Sequence, residues 1–574
     1  MTGGAPPALG TDRVSPESAA SRPASRARAA LVLVAIVAPL YGARLGAAPL
    51  FDRDEAFYVQ AAREMTARDD RMTPWFNDAA RFDKPIFYYW AQLASRDLLG
   101  ESETAARAPS ALALAALVTL VFCALDGLAG TRAAFAAGLF TAIAGESLAL
   151  GRLGIPDATF ALFLTGMWLS AFAWADGVVE PRSGATALAV FGSLAILTKG
   201  IVAPVLLVLA LGAYRAWNGP FRGRVDRASF TRLVAVGALL TAPWFVIETI
   251  LAGWEFPKIF FFKHHFERFV SGLPGHDKPW WYFATNVPFL FLPAIVYLPA
   301  ALDAARRTDA RPDAAVGVRL TRMALAWFAA VLVFFSLSKG KLANYVFPAL
   351  PAAAIVAGLE VEARWSRRRA IGVSERVLTG VIAIAALACL LLSGPIGRFI
   401  GSFLAEENRA QLVDLGWWPL MPAAVLGGLA AASARALGAR GEPRRFFATA
   451  GAAFVGFALF VALVAMPAFG EQVHGSTRDV AVRIGRALDV APGRILQYRL
   501  YRPTMVFYAR HPIAMTKNRD DLEAALANPA PLFVATLRKH VAKEPIPGVS
   551  EIGGGDRVVV LANDAALAAL RRTE

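Results

Sequence analysis

Cysteine is almost missing: Cys123 and Cys389 are the only two in 574 residues, and both lie inside apolar runs. No disulfide framework can be built from them. Charge is scarce as well. Asp, Glu, Lys and Arg make up 18% of residues, against about 25% in soluble proteins. Apolar residues make up 56%, and mean hydropathy is +0.47. A water-soluble enzyme is excluded by that balance. A soluble core stops growing near about 250–300 residues, and the apolar excess here comes in runs close to the roughly 20 residues that cross a bilayer. Disorder of most of the chain is excluded too, because disorder needs low hydrophobicity. No Gly-rich phosphate loop appears, which argues against a nucleotide-borne donor. No fixed-period repeat appears either. Acidic residues are the minority: 44 Asp and Glu against 59 Lys and Arg, a net charge of +15. In so apolar a chain that surplus points to cytoplasmic arginine loops and anionic membrane lipids, with no nucleic-acid partner.

What is present is a series of apolar runs. Residues 1–28, rich in Gly, Pro, Ser, Ala and Arg, read as a disordered cytoplasmic tail. The run 29–50 follows Arg26 and Arg28 and is too long for a signal peptide, with no small-residue cleavage site after it; it reads as a signal anchor. Further spans are expected near 107–125, 133–151, 158–176, 185–198, 200–215, 232–252, 284–302, 322–338, 342–359, 377–394, 417–434 and 446–467, about 13 in all. With the N-terminus in the cytoplasm, loops 215–232, 303–322, 360–376 and 435–445 face inward. Each carries four or five arginines, as the positive-inside rule requires. The outer segments are then 51–106, a turn at 151–157, Thr198–Gly200, 253–283, Ser338–Lys341, 395–416 and everything after about 468. Residues 29–468 form the expected membrane domain. Residues 469–574 form a small α/β domain outside, with strand-like runs at Arg494–Tyr498, Leu532–Thr536 and Val558–Leu561 beside helical patterns such as Arg519–Ala527.

The first outer loop, 51–106, is too patterned for a linker. Asp52, Asp54 and Glu55 follow the first span, and two amphipathic stretches, one from Asp54 and one after Lys84-Pro85, read as interfacial helices. Asp54 can cap its helix, serve as a base or acceptor-orienting carboxylate, or do both. Asp157, after Pro156, is open to the same two readings. Lys84, Lys199, Lys339 and Lys341, with Arg81, Arg152 and Arg268, lie on the side that the positive-inside rule depletes. One such lysine is explained by snorkelling; seven basic residues point to an anion site, such as a lipid phosphate. His264 and His265 are adjacent and diverge by about 100° on a helix; no metal and no other cofactor is expected.

Read in order, Asp54-Glu55-Ala56-Phe57-Tyr58 and Arg81-Phe82-Asp83-Lys84-Pro85 through Trp90 resemble the polyprenyl-phosphate-sugar glycosyltransferases of the GT-C fold. The resemblance is closest to ArnT-like aminoarabinose transferases and extends more distantly to protein O-mannosyltransferases. It continues through Pro156-Asp157, Leu197-Thr198-Lys199-Gly200, His265 to Phe269, Trp280-Trp281-Tyr282 and Ser338-Lys339-Gly340-Lys341-Leu342-Ala343-Asn344-Tyr345, covering roughly residues 30–360. The ordered set is what makes it specific. It implies an α-helical polytopic membrane protein of GT-C type with a small C-terminal periplasmic domain, in a bacterial inner membrane. By this resemblance Asp54 is the loop aspartate and Asp157 the second acid. Lys84 is the phosphate-binding lysine, Arg268 and Tyr345 contact the lipid phosphate, and Lys339 and Lys341 belong to the KGKL motif. Glu55, Lys199 and His265 fall in matched motifs as further substrate-binding positions. Asn344, His264 and the Arg81-Phe82-Asp83 preface depart from the family pattern, which bears on the sugar and acceptor more than on the reaction. The implied partners are an undecaprenyl-type phosphate-sugar donor, membrane lipids, and an acceptor that is a lipid A phosphate, a protein or another envelope glycan. A lipid or sugar transporter is the rival class. Against it, the ionisable residues gather at one membrane face, and the first loop has no counterpart in the second half.

Overall fold

The computed structural model describes residues 16–52, 54–267, 278–307, 316–394, 417–438, 442–555 and 557–573. Helices occupy each of the thirteen apolar segments. Among the described residues, eight are long and apolar enough to cross a membrane; a ninth is a bent pair, and three more are apolar but shorter. Length and apolarity alone therefore support eight or nine crossings, fewer than the expected thirteen.

Helix α1 runs Pro16–Gly42. Residues 16–28 are thus helical, unlike their reading as a disordered tail; Ala, the commonest residue there, and Arg are strong helix formers. The expected span 133–151 is two helices, α5 (Thr131–Ile143) and α6 (Gly145–Leu150), because Ala144 is extended at φ −61°, ψ 142°. The expected span 284–302 is also not continuous. Helix Tyr282–Leu290 meets the segment Ala294–Arg307 at 107°. Pro288 and Pro293 each withhold a backbone donor there.

The first outer loop holds α2 (Asp54–Ala67), a hairpin of β1 (Trp75–Phe76) and β2 (Ala79–Ala80), and α3 (Phe87–Leu99). Asn77 and Asp78 both take positive φ, 53° and 65°, as a two-residue hairpin turn demands. Helices α4 (Glu103–Ala129), α7 (Asp157–Ala175), α8 (Pro181–Lys199), α9 (Val202–Asn218) and α10 (Arg227–Ala252) follow. Small residues let backbones approach closely. At Gly358, in helix Leu350–Trp365, an added Cβ would stand 2.4 Å from the Ala133 carbonyl oxygen of α5.

Helix Pro443–Phe460 passes through one π-helical stretch, Val461–Ala465, into Met466–Val490. The expected boundary at 468/469 falls inside this continuous rod. Beyond it stands a five-stranded sheet in the order β4-β3-β5-β7-β6. Its strands are β3 (Arg494–Tyr498), β4 (Ile513–Thr516), β5 (Leu532–Leu537), β6 (Ser550–Gly554) and β7 (Val558–Ala562). β4, β3 and β5 run parallel; β7 is antiparallel to both β5 and β6.

Candidate active site

The site is built on a buried ion pair. Glu55, in the first turn of α2, is fully buried. Its Oε1 accepts from Arg107 Nε at 2.9 Å and from the Gly154 amide at 2.7 Å. Its Oε2 accepts from an Arg107 terminal nitrogen at 2.9 Å and the Phe51 amide at 2.7 Å. Arg107 also donates to the carbonyls of Leu45, Ala48 and Pro49. One carboxylate thereby ties the end of the first span, α2, α4 and the 151–157 turn together. Its contacts make Glu55 a positioning residue, not a free ligand for substrate.

That clamp fixes the start of α7. Asp157, its first residue, is buried, and its Oδ1 accepts from Lys199 Nζ at 2.7 Å and from Asn344 Nδ2 at 2.9 Å. Lys199 closes α8, and Asn344 lies in a 3-10 turn, Ala343–Ala349. Three segments distant in sequence so converge on one oxygen.

A second group surrounds the Lys84-Pro85 step. Asp83 meets Arg81 at 2.5 Å and His264 Nε2 at 2.9 Å. Burial works to raise the Asp83 carboxyl, but the His264 hydrogen bond and the charges of Arg81, His264 and Lys84 hold it well below the usual carboxylate range. Lys84 Nζ donates to the Asp83 carbonyl at 3.2 Å. The Arg81 guanidinium lies 3.8 Å from the Phe57 ring centre. Tyr58 is buried against the rings of Tyr88 and Tyr89, at 5.2 and 5.4 Å; burial, and then the neighbouring Tyr89, push its hydroxyl up.

Lys341 is buried, and its ammonium donates to the carbonyls of Ser338 and Lys278. Lys339 is exposed. Tyr345 is half-buried, its ring 5.3 Å from that of Phe335. Asp54 opens α2, but its side chain, that of His265, and the whole of Arg268 lie outside the described residues. Among the described residues no three His, Cys, Asp or Glu side chains gather as metal ligands. An apolar cavity of about 340 Å³ opens between α6, the bent pair and the last helices, lined by Leu148, Phe289, Ile382 and Phe457 among others.

The C-terminal domain is docked on the first loop. Asp52 accepts from Arg502 and from the Thr504 hydroxyl at 2.7 Å. Asn77 exchanges two 2.9 Å hydrogen bonds with the Ile513 backbone. Tyr508 donates to Glu103 at 2.9 Å and accepts from the Leu50 amide at 2.8 Å.

Sequence reasoning missed Arg107, Asn344 and Arg502. Arg107 carries a signal of its own, as a lone arginine inside an apolar run. Asn344 was visible only as a departure from a motif. Arg502 has no local signal, since its partner is 450 residues away.

Chemically, lysines and arginines beside buried carboxylates suit the binding of a phosphate and stabilisation of a leaving anion. Known proteins point the same way. A family model described as dolichyl-phosphate-mannose-protein mannosyltransferase matches residues 83–247, the stretch that holds Lys84, Asp157 and Lys199. An undecaprenyl phosphate-alpha-4-amino-4-deoxy-L-arabinose arabinosyl transferase of Aeromonas salmonicida is 31% identical over 384 residues, which is 64% of this chain and 67% of that one. Another, from Pseudomonas fluorescens, is 29% identical over 534 residues, 88% and 85% of the two chains. Crystal structures of ArnT from Cupriavidus metallidurans, bound to undecaprenyl phosphate and apo, superpose with a TM-score of 0.74 at 24% and 25% identity. They cover 94% of this chain and 98% of the other.

Proposed function

This chain belongs to the family of ArnT-like GT-C glycosyltransferases, and from that premise we propose that it transfers 4-amino-4-deoxy-L-arabinose from undecaprenyl phosphate to a phosphate of lipid A. The convergence of Lys199 and Asn344 on Asp157, beside the lysine-rich loop, is the observation that carries this reading. The chain is a multi-pass protein of the bacterial inner membrane. The N-terminus is cytoplasmic and the 469–574 domain periplasmic, in keeping with the four arginine-rich loops.

The sugar C1–phosphate oxygen bond breaks as an acceptor oxygen attacks from the opposite face, inverting C1. Lys84, Arg268, Lys339 or Lys341, and Tyr345 hold the departing lipid phosphate, whose charge grows in a partly dehydrated site. A lipid A phosphate is already ionised, so Asp54 orients it and faces the developing positive charge on the sugar. Asp157 holds Lys199 and Asn344 in place. The apolar cavity offers room for a lipid chain.

Lipid A mass spectrometry tests the proposal, on a strain lacking the gene and on the same strain carrying wild type or Asp54→Asn. An aminoarabinose substituent restored by wild type alone is the expected result; lipid A unchanged across all strains rejects the acceptor. A protein acceptor is the second reading, favoured by the description of the matching family model. Glycoprotein analysis of the same strains separates the two.

A further inference from the structure

Glu146 is used by nothing described so far. It is the second residue of α6, two positions after the extended Ala144. It is 3% exposed, and neither carboxylate oxygen has a hydrogen-bond partner among the described residues; the neighbouring Ser147 hydroxyl also has none. Burying a carboxylate in this way is costly unless something answers its charge. Helix α6 packs against α7 and against the 3-10 turn that carries Asn344. The charged groups that act on Glu146 are Asp157 and Lys199.

Among the described residues, the ammonium acting on Glu146 is that of Lys199, and it is committed to Asp157 Oδ1 at 2.7 Å. A buried carboxyl with no cation of its own takes up a proton; an ammonium brought beside it lets it ionise and pair. A neutral or acidic sugar makes no such pair.

We infer that Glu146 recognises the sugar of the donor by pairing with its amino group as an ammonium, with the Ser147 hydroxyl available to a neighbouring sugar hydroxyl. The inference rests on the aminoarabinose reading above and names the residue that makes the site selective for an amino sugar. No covalent step is involved: the ammonium enters with the donor and leaves with the product.

The test uses purified full-length protein with two donors, undecaprenyl phosphate-aminoarabinose and its N-acetylated form, in which the amine carries no charge. Wild type is expected to favour the free amine by about 30-fold or more in kcat/KM, the scale of a buried polar group left unpaired. In Glu146→Gln that ratio falls to within about threefold, with the loss carried by a raised KM for the amino donor. A variant that keeps the wild-type ratio, or loses both donors by the same factor, overturns the inference and leaves the transferase reading standing. Wild type that transfers neither donor overturns both. A second readout needs no variant: the free-amine donor should raise the wild-type Tm more than the N-acetylated donor does, and equal shifts overturn the inference.

Discussion

Glu55 has no acceptor capacity to spare. Each of its oxygens takes two hydrogen bonds. Replacing it by Gln leaves Arg107 as an uncompensated buried charge, at a cost of about 3–5 kcal/mol. The expected result is a large drop in Tm in detergent, partly recovered when Arg107→Met is added. Gly154→Ala reaches the same clamp sterically. Its Cβ would stand 2.6 Å from the Ala106 carbonyl oxygen and 3.4 Å from Glu55 Oε1, costing about 1–3 kcal/mol. In the proposed mechanism, Asp54→Asn and Lys84→Ala abolish transfer without unfolding the protein, and Lys199→Met lowers kcat by about 10²–10³. A transfer assay with circular dichroism as the folding control checks all three. Asp83 supplies a pH signature. Its folded-state carboxyl is held below the unfolded value of about 3.9. Its contribution to stability is therefore complete above that value and is lost as pH falls through the lower folded one. Asp83→Asn should cost Tm at pH 7 and progressively less below about pH 4; a pH-independent cost would contradict this. At this scale the sequence was legible where a residue breaks a rule, such as lysines on the depleted face. It was silent where a residue's role is its partner: Asp157 is open to a cap or a site reading from sequence, and nothing local names Lys199 and Asn344 as the groups on it.

Among the elements, the apolar runs predicted helices well, since a backbone inside a bilayer has to satisfy its own hydrogen bonds. They did not predict where helices break. The 107° bend and the extended Ala144 leave the hydropathy window untouched, although Pro288 and Pro293 mark one of them. The sheet shows the same division. Three central strands were read from short runs rich in β-branched, aromatic and other apolar residues. Edge strands β4 and β6 are short, polar or Gly-containing, and their pattern resembles loop. The β1–β2 hairpin ties sheet to loop through the hydrogen bonds of Asn77 and through Phe76, buried in one apolar cluster with Val480 and Ile513. Asn77→Ala should cost about 1–3 kcal/mol of that docking, and limited proteolysis of the 68–83 segment should quicken. An unchanged cleavage rate would show that the other contacts suffice.

On the scale of the whole molecule, the C-terminal domain and the first loop are parts of one outer structure. Asp52 is held by Arg502 and Thr504, two residues from the proposed catalytic carboxylate. Composition alone revealed the domain, but its docking surface joins residues more than 400 positions apart and no local pattern encodes it. Residues 443–490 form one continuous helical rod. A helix of that length runs about 70 Å at 1.5 Å per residue. Its lower end is anchored among apolar helices and its upper end underlies the sheet. The rod therefore sets both the height and the bearing of the sheet over the loop that it docks on. One residue added to the rod turns the sheet by about 100° and lifts it about 1.5 Å, enough to part Asp52 from Arg502 and Asn77 from Ile513.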